Sequence, residues 1–160
     1  MTTQPQSHIT PEMRANIGVE GPARHLELDR TSIRMFARAV GYTDPVFYDP
    51  DEARKRGYRD IIAPPGYLGT AAFRPSGEAE GGMPRQRPGG MTRGLNAGNE
   101  YEYFETICAG DILEARGRTV DIVERAGSIG PMIITTSETT YKRVSDGKVV
   151  AKGRGTGISY

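Results

Sequence analysis

Side chains able to do acid–base or metal chemistry are concentrated between residues 41 and 60, in the segment GYTDPVFYD and the charged run after it. These carboxylates have no neighbouring histidine, because both histidines of the chain, His8 and His25, precede the segment. Transition-metal sites usually include imidazole or thiolate ligands, so the pattern favours a solvated acidic surface, and we expect no metal. The carboxylates concerned are Asp44, Asp49, Asp51, Glu52 and Asp60.

Nucleophilic chemistry has weak support. Cys108 is the single cysteine, and its setting in ETICAGD favours a half-buried structural thiol over a nucleophile, which would need a base and electropositive surroundings. Ser76 lacks a Gly-x-Ser-x-Gly elbow, and the run GEAEGGMPRQRPGG lacks the Lys-Ser/Thr ending of a phosphate-binding loop. His8 and His25 are interpreted as surface or edge-strand residues.

Backbone donors offer a third kind of chemistry, at the segment APPGYLG. Proline is accepted in the first turn of a helix, so a helix is predicted to begin near Pro65 and to extend through Phe73. Free N–H groups at such a start can bind a thioester carbonyl and stabilise enolate-like charge during hydration or dehydration. A helix start that only packs is an equally good interpretation, and a proton-transfer group would still be needed. The candidate substrate-binding residues are Ala63, Pro64, Pro65, Gly66 and Tyr67.

Local signals predict three further helices. Residues 11–16 form a short helix with Thr10 as its cap. In LDRTSIRMFARAVG the apolar residues recur at the i, i+3, i+4, i+7 spacing, Asp29 caps the start and Gly41 ends the element, which predicts an amphipathic helix of about eleven residues. Pro50 begins a short charged helix that ends at Gly57.

The carboxy-terminal half reads as strands, in NEYEYFETI, DILEARGRTVDIVERAG, PMIITTSETTYKRV and KVVAKGRGTGISY. The pair Asp146-Gly147 predicts a hairpin with a two-residue turn between the last two. The buried face of this sheet needs a cover, and the helix beginning near Pro65 is predicted to provide it. The expected fold class is α+β, a curved antiparallel sheet wrapped around a long central helix. Residues 74–92, rich in Gly and Pro, are expected to form an irregular loop.

The composition sets the broad class. A chain of 160 residues fits one domain over residues 1–160. Lys and Arg number 21 against 20 Asp and Glu, and this balance favours neither nucleic acid nor an anionic membrane as a partner. The sequence contains no apolar run long enough to span a bilayer and no signal-peptide pattern, so a soluble cytoplasmic protein is expected.

A family resemblance joins these features. The run IRMFARAVGYTDPVFYDPDEARKRGYRDIIAPPGYLG resembles the hydratase motif of the MaoC-like (R)-specific enoyl-CoA hydratases and dehydratases, and more closely their amino-terminal, FAS1-like dehydratase branch. The motifs GLNAGNEYEYF and GPM before a long strand are similar to the same branch, so the resemblance covers about residues 15–158. It implies the hotdog fold, in which an antiparallel sheet wraps a long helix.

The resemblance also implies that this chain lacks the family's catalytic residues. Catalytic members carry the motif Gly-Asp-x-Asn-Pro-x-His, whose Asp and His add or remove water. Aligned on Gly41 and Pro45, the Asp position is Tyr42 and the His position is Phe47. A phenyl ring transfers no proton and tyrosine is a poor base near neutral pH, whereas the position of the oxyanion donor, Gly66, is intact.

This pattern resembles the noncatalytic subunit of heteromeric hydratases and dehydratases, such as those of fatty-acid elongation or those acting on bulky steroid side-chain thioesters. It implies a catalytic MaoC-like hotdog partner, an acyl-CoA or acyl carrier protein thioester as substrate, no separate cofactor, and a hotdog dimer or higher oligomer. Two alternatives stay open. One is a self-sufficient homodimeric hydratase with Asp44, Tyr48 or Asp49 as replacement acid or base. The other is a non-enzymatic acyl-CoA-binding hotdog protein.

Overall fold

The computed structural model describes residues 7–70, 88–128 and 130–160. Within these ranges the chain forms three α-helices and five β-strands. Short 3-10 turns lie at Pro45–Phe47, Tyr67–Gly69 and Pro88–Gly90. The helices are α1 (Pro11–Ala15), α2 (Arg30–Val40) and α3 (Pro50–Lys55). The strands are β1 (Arg24–Glu27), β2 (Gly94–Tyr103), β3 (Ile112–Gly127), β4 (Gly130–Arg143) and β5 (Val149–Ser159).

The five strands form one antiparallel sheet in the order β1-β3-β4-β5-β2. The four strands predicted in the carboxy-terminal half are confirmed, and the short edge strand β1 adds a fifth. The predicted hairpin joins β4 to β5, but its turn is longer than two residues, because the Arg143 N–H bonds the Lys148 carbonyl across it at 2.9 Å. Gly147 has the positive φ of 70° that the turn needs, and Asp146 accepts the Lys148 N–H at 3.1 Å.

Helix α2 contributes apolar side chains to the hydrophobic core that it shares with the sheet. Its boundaries are those the sequence predicts, since Asp29 accepts the Ser32 N–H at 2.9 Å and Gly41 ends the helix with a φ of 83°. Ile33 and Ala37 are fully buried on its inner face. They join strand residues of the same core cluster, among them Leu113, Ala115, Val150 and Ala151. Burying apolar area between helix and sheet in this way is the main stabilising term of such a layer.

The helix predicted to begin near Pro65 is not α-helical over the part of it that the structure describes. The structure has a single 3-10 turn over Tyr67–Gly69, and Thr70 is already extended, with φ −78° and ψ 153°. Gly66 enters the turn with a φ of 86°, outside the helical range, so the proline pair precedes a tight turn here. Residues 71–73, predicted to continue that helix, lie outside the described residues, so the assignment of the central helix to this segment stays a prediction.

The shorter predicted helices are confirmed. Thr10 accepts the Met13 N–H at the start of α1, and Asp49 accepts the Asp51 N–H at the start of α3. Both helices begin with proline in the first turn. Most of the predicted loop over residues 74–92 lies outside the described residues, and the prediction of one domain over residues 1–160 stays a prediction.

Candidate functional site

A cleft of about 450 Å³ lies where three segments meet: the 3-10 turn at Pro45–Phe47, residues 62–65, and the chain that follows β2. Its floor is apolar, because Phe47 and Ile107 are buried, and its mouth holds the partly exposed rings of Tyr103 and Phe104. A cleft of this size and composition suits a small, mainly apolar group. It is lined by Phe47, Ile62, Ala63, Pro65, Tyr103, Phe104, Glu105, Thr106 and Ile107.

Aromatic rings occupy both positions at which the catalytic motif has its acid and base. Phe47 is buried and its ring centroid lies 5.2 Å from that of Tyr42, at an interplanar angle of 48°. The Tyr42 N–H is bonded to the Ala37 carbonyl at 2.9 Å, which fixes the loop to the end of α2. Phe47 reaches the cleft, whereas Tyr42 packs behind it. The two rings contribute packing and no proton-transfer group.

The remaining polar groups of the loop are held by local contacts. Asp44 accepts the Val46 N–H at 3.0 Å and an Arg56 guanidinium N–H at 2.9 Å, and the bond from Arg56 lowers the pKa of Asp44 below its ordinary value. Asp49 caps α3, and the Tyr48 hydroxyl donates to the Tyr42 carbonyl. None of these three residues lines the cleft.

The candidate substrate-binding segment lies partly in the cleft. Ala63 and Pro65 line the cleft. The Ala63 N–H donates to the Ile107 carbonyl at 2.8 Å, and this hydrogen bond joins two of the segments that line the cleft. Pro64 is fully buried in the core. Tyr67 turns toward α2, where its hydroxyl is 2.6 Å from the Ser32 hydroxyl.

Gly66, the expected donor to a thioester carbonyl, has its N–H bonded to the Tyr103 hydroxyl at 3.2 Å. Tyr103 is thus a site residue that no motif in the sequence predicts, although alternation along a strand places it on the same face as Tyr101. Burial raises the pKa of Tyr103 above its ordinary value, against a smaller lowering by the Gly66 N–H. The hydroxyl is therefore protonated at neutral pH and is no base.

Glu105 bears the one carboxylate among the described residues that line the cleft. It lies 3.8 Å from the Lys148 ammonium, and its side chain is 44% exposed. No motif in the sequence predicts a role for Glu105 either. The strand predicted over NEYEYFETI ends at Tyr103 in the structure, so Glu105 lies in the chain that follows it. Its place in the cleft makes Glu105 the carboxylate to replace when proton transfer by this chain is tested.

A buried ionic cluster holds the wall that carries Glu105 and Thr106. Arg143 is buried and donates to the Thr106 carbonyl at 2.8 Å. Asp111, also buried, accepts the Arg59 guanidinium at 2.6 Å and the Cys108 N–H at 2.9 Å. The Arg143 Nε lies 3.4 Å from Asp111 without hydrogen-bond geometry, so these two groups interact mainly as charges.

The other reactive side chains do not line the cleft. His8 bonds Glu124 at 2.7 Å, and His25 lies opposite Glu114 on the edge strand β1. Cys108 is buried and not half-buried as expected, because its N–H and its neighbours belong to the packed turn before β3. Within residues 7–70, 88–128 and 130–160, no three His, Cys, Asp or Glu side chains converge to hold a metal. In the same ranges, no helix has the length and apolar character to cross a membrane.

Solved structures define the class of this fold. The HadBC complex of Mycobacterium tuberculosis, a 3R-hydroxyacyl-ACP dehydratase, is similar at TM-score 0.65 and 21% identity, over 89% of this chain and 98% of that one. The ChsH1-ChsH2 complex of the same organism is similar at TM-score 0.68 and 18% identity, over 89% of each chain. The architecture is the α+β hotdog fold, as the resemblance predicted.

Within that class, the family model for the FAS1-like, dehydratase domain region matches residues 15–152, and the chain belongs to this family. The match confirms the predicted membership of the MaoC-like superfamily and falls within the range over which the resemblance was drawn. A UPF0336 protein of Streptomyces avermitilis is 32% identical over 107 residues, which cover 67% of this chain and 70% of that protein.

Proposed function

We propose that this chain is the noncatalytic, substrate-accommodating subunit of a heteromeric acyl-thioester hydratase or dehydratase. A second hotdog subunit supplies the catalytic Asp and His, and the apolar cleft of this chain holds part of the acyl group. The observation that carries the proposal is the pair Tyr42 and Phe47, packed ring against ring 5.2 Å apart at the two positions of the acid and base. Family membership supplies the reaction class.

The edges of the sheet support a partner subunit. Strand β2 is ten residues long and forms one edge, and the described residues place no strand on its outer side. The opposite edge, β1, has only four residues. A long edge strand invites pairing with another chain. Tyr103 both ends β2 and lines the cleft, so a sheet that joined this edge would bring a partner's residues beside the cleft.

The self-sufficient alternative depends on Asp44, Tyr48 or Asp49. The contacts of all three argue against it, since each is committed to a cap, an ion pair or a backbone carbonyl outside the cleft. Glu105 is the better-placed carboxylate and belongs in the same test. A protein that only binds acyl-CoA would share the cleft but would need no partner for its function.

The proposal is tested by locating the catalytic groups in a reconstituted complex. This chain is co-expressed with a MaoC-like protein encoded beside its gene that carries an intact Asp and His motif, and hydration of crotonyl-CoA and longer enoyl-CoAs is assayed. Replacing the partner's motif histidine with Ala should abolish activity. Asp44→Asn and Glu105→Gln in this chain should leave turnover within about threefold, because neither takes part in proton transfer.

Two results would overturn the proposal. In the first, Asp44→Asn or Glu105→Gln abolishes turnover while the complex still assembles, which would assign the chemistry to this chain. In the second, the two proteins fail to associate and this chain binds acyl-CoA alone, which would favour the non-enzymatic alternative. Light scattering of each variant complex separates loss of assembly from loss of chemistry.

A further inference from the structure

We infer that Tyr103 sets the size of the acyl group that the cleft accepts, with its hydrogen bond to Gly66 holding the ring across the mouth. The inference rests on the proposed function of the cleft. It assigns a specificity-determining role to a residue that the degenerate motif does not include.

The position of Tyr103 gives the first step. Its ring lines the cleft together with Phe47 and Phe104, and it is 38% exposed, so it stands at the opening and not in the core. Beyond the cleft, its ring centroid lies 6.3 Å from that of Tyr101, on the same face of β2. A change in the direction of the Tyr103 side chain would therefore alter the opening directly.

The restraint on Tyr103 gives the second step. Its hydroxyl accepts the Gly66 N–H at 3.2 Å, and one such hydrogen bond contributes only about 1 kcal/mol net. Tyr101 is held much more tightly, because a Cβ on Gly153 would lie 2.8 Å from its ring and a Cβ on Gly69 would lie 3.0 Å from its hydroxyl. Of the two tyrosines on this face, Tyr103 is the one that can leave its place at low cost.

The cost of moving Tyr103 gives the third step. When Tyr103 turns away, its hydrogen bond from the Gly66 N–H is broken. The same rotation widens the mouth for a longer or bulkier acyl group. A short acyl group needs no such movement, so the cost of breaking the hydrogen bond falls only on the larger substrates, which makes Tyr103 selective.

Binding of saturated acyl-CoAs, which cannot be hydrated, tests this role without turnover. Calorimetry compares butyryl-CoA with octanoyl-CoA on the purified full chain and on Tyr103→Ala, Tyr103→Phe and Tyr101→Phe. Tyr103→Ala should raise the preference for octanoyl-CoA about tenfold, in the range for a change of pocket size. Tyr103→Phe, which keeps the ring and loses the bond, should shift it less in the same direction. Tyr101→Phe is the matched control and should leave the ratio unchanged.

The inference is wrong if the ratio for Tyr103→Ala stays within about twofold of the unchanged chain, or if neither acyl-CoA binds any of the four proteins. Circular dichroism checks that each variant is folded, and Tyr103→Phe keeps the test valid if the alanine variant is not. The hydration assay separates the two proposals. An active complex without a shift in binding would remove only the role of Tyr103, and a shift without any active complex would remove only the proposed function.

Discussion

Replacing the buried carboxylate of Asp111 should destabilise the protein severely. In Asp111→Ala, the buried Arg143 loses a countercharge 3.4 Å away, and the buried Cys108 N–H loses its acceptor at 2.9 Å. Breaking a buried ion pair costs about 3–5 kcal/mol, and an unsatisfied buried donor costs about 1–3 kcal/mol. Arg143 keeps Asp146 at 2.9 Å and the Thr106 carbonyl, so the ion-pair cost lies at the lower end of its range.

We therefore expect Asp111→Ala to lose about 4–6 kcal/mol of unfolding free energy, a large share of the roughly 5–15 kcal/mol typical of a domain. Urea unfolding followed by circular dichroism measures this loss, and the melting temperature should fall by roughly 8–24 °C. The control is Asp51→Ala, whose ion pair with Arg54 is exposed, with Asp51 79% accessible, and contributes about 1 kcal/mol or less. Equal losses in the two variants would refute the account of the cluster.

Two further predictions concern elements that position the cleft. Asp29→Ala should cost about 0.5–2 kcal/mol of unfolding free energy by removing the cap of α2. Hydrogen bonds from Ser32 lower the pKa of Asp29 in the folded state, so its stabilisation is present above the ordinary value of 3.8 and is lost as pH falls through the lowered pKa. In urea titrations from neutral to acid pH, the difference between the unchanged chain and Asp29→Ala should therefore shrink in acid, and a constant difference would contradict the assignment. Gly153→Ala should cost about 1–3 kcal/mol of unfolding free energy, because its Cβ would lie 2.8 Å from the Tyr101 ring. The control is Gly157→Ala, whose Cβ would lie 4.0 Å from the Leu95 carbonyl oxygen, and it should be close to neutral in the same unfolding assay.

The elements predicted correctly are those specified by neighbouring residues. Thr10 and Asp29 cap their helices with side chains that reach only three residues along the chain, and Gly41 ends α2 through its own φ. Alternation identified the long strands for the same reason, since period two is a local property of an extended chain.

The start of the helix predicted near Pro65 differs from the structure because its local signal is ambiguous. Proline followed by small apolar residues suits the first turn of a helix and a tight 3-10 turn equally well, and the φ of 86° at Gly66 decides between them. The amphipathic pattern of α2 correctly predicts a helix, whereas its place in the core depends on the tertiary contacts of Ile33 and Ala37.

The candidate site likewise combines features that the sequence predicts with contacts that it does not predict. The loss of the acid and base could be predicted from two residue types, Tyr42 and Phe47, once the motif was aligned. The contact of Tyr103 with Gly66 joins residues 37 positions apart, and the wall at Thr106 is held by Arg143 from another strand. Neither contact has a sequence signal, because each depends on how the sheet brings β2 and β4 to the cleft.

The rate of enoyl-CoA hydration by this chain alone, compared at equal concentration with the rate of its complex with the catalytic partner, tests the central claim most directly. General acid–base catalysis contributes about 10²–10⁴-fold, so the isolated chain should be at least about a hundredfold slower than the complex. Turnover by the isolated chain close to that of the complex would contradict the claim that Tyr42 and Phe47 leave it without an acid–base pair.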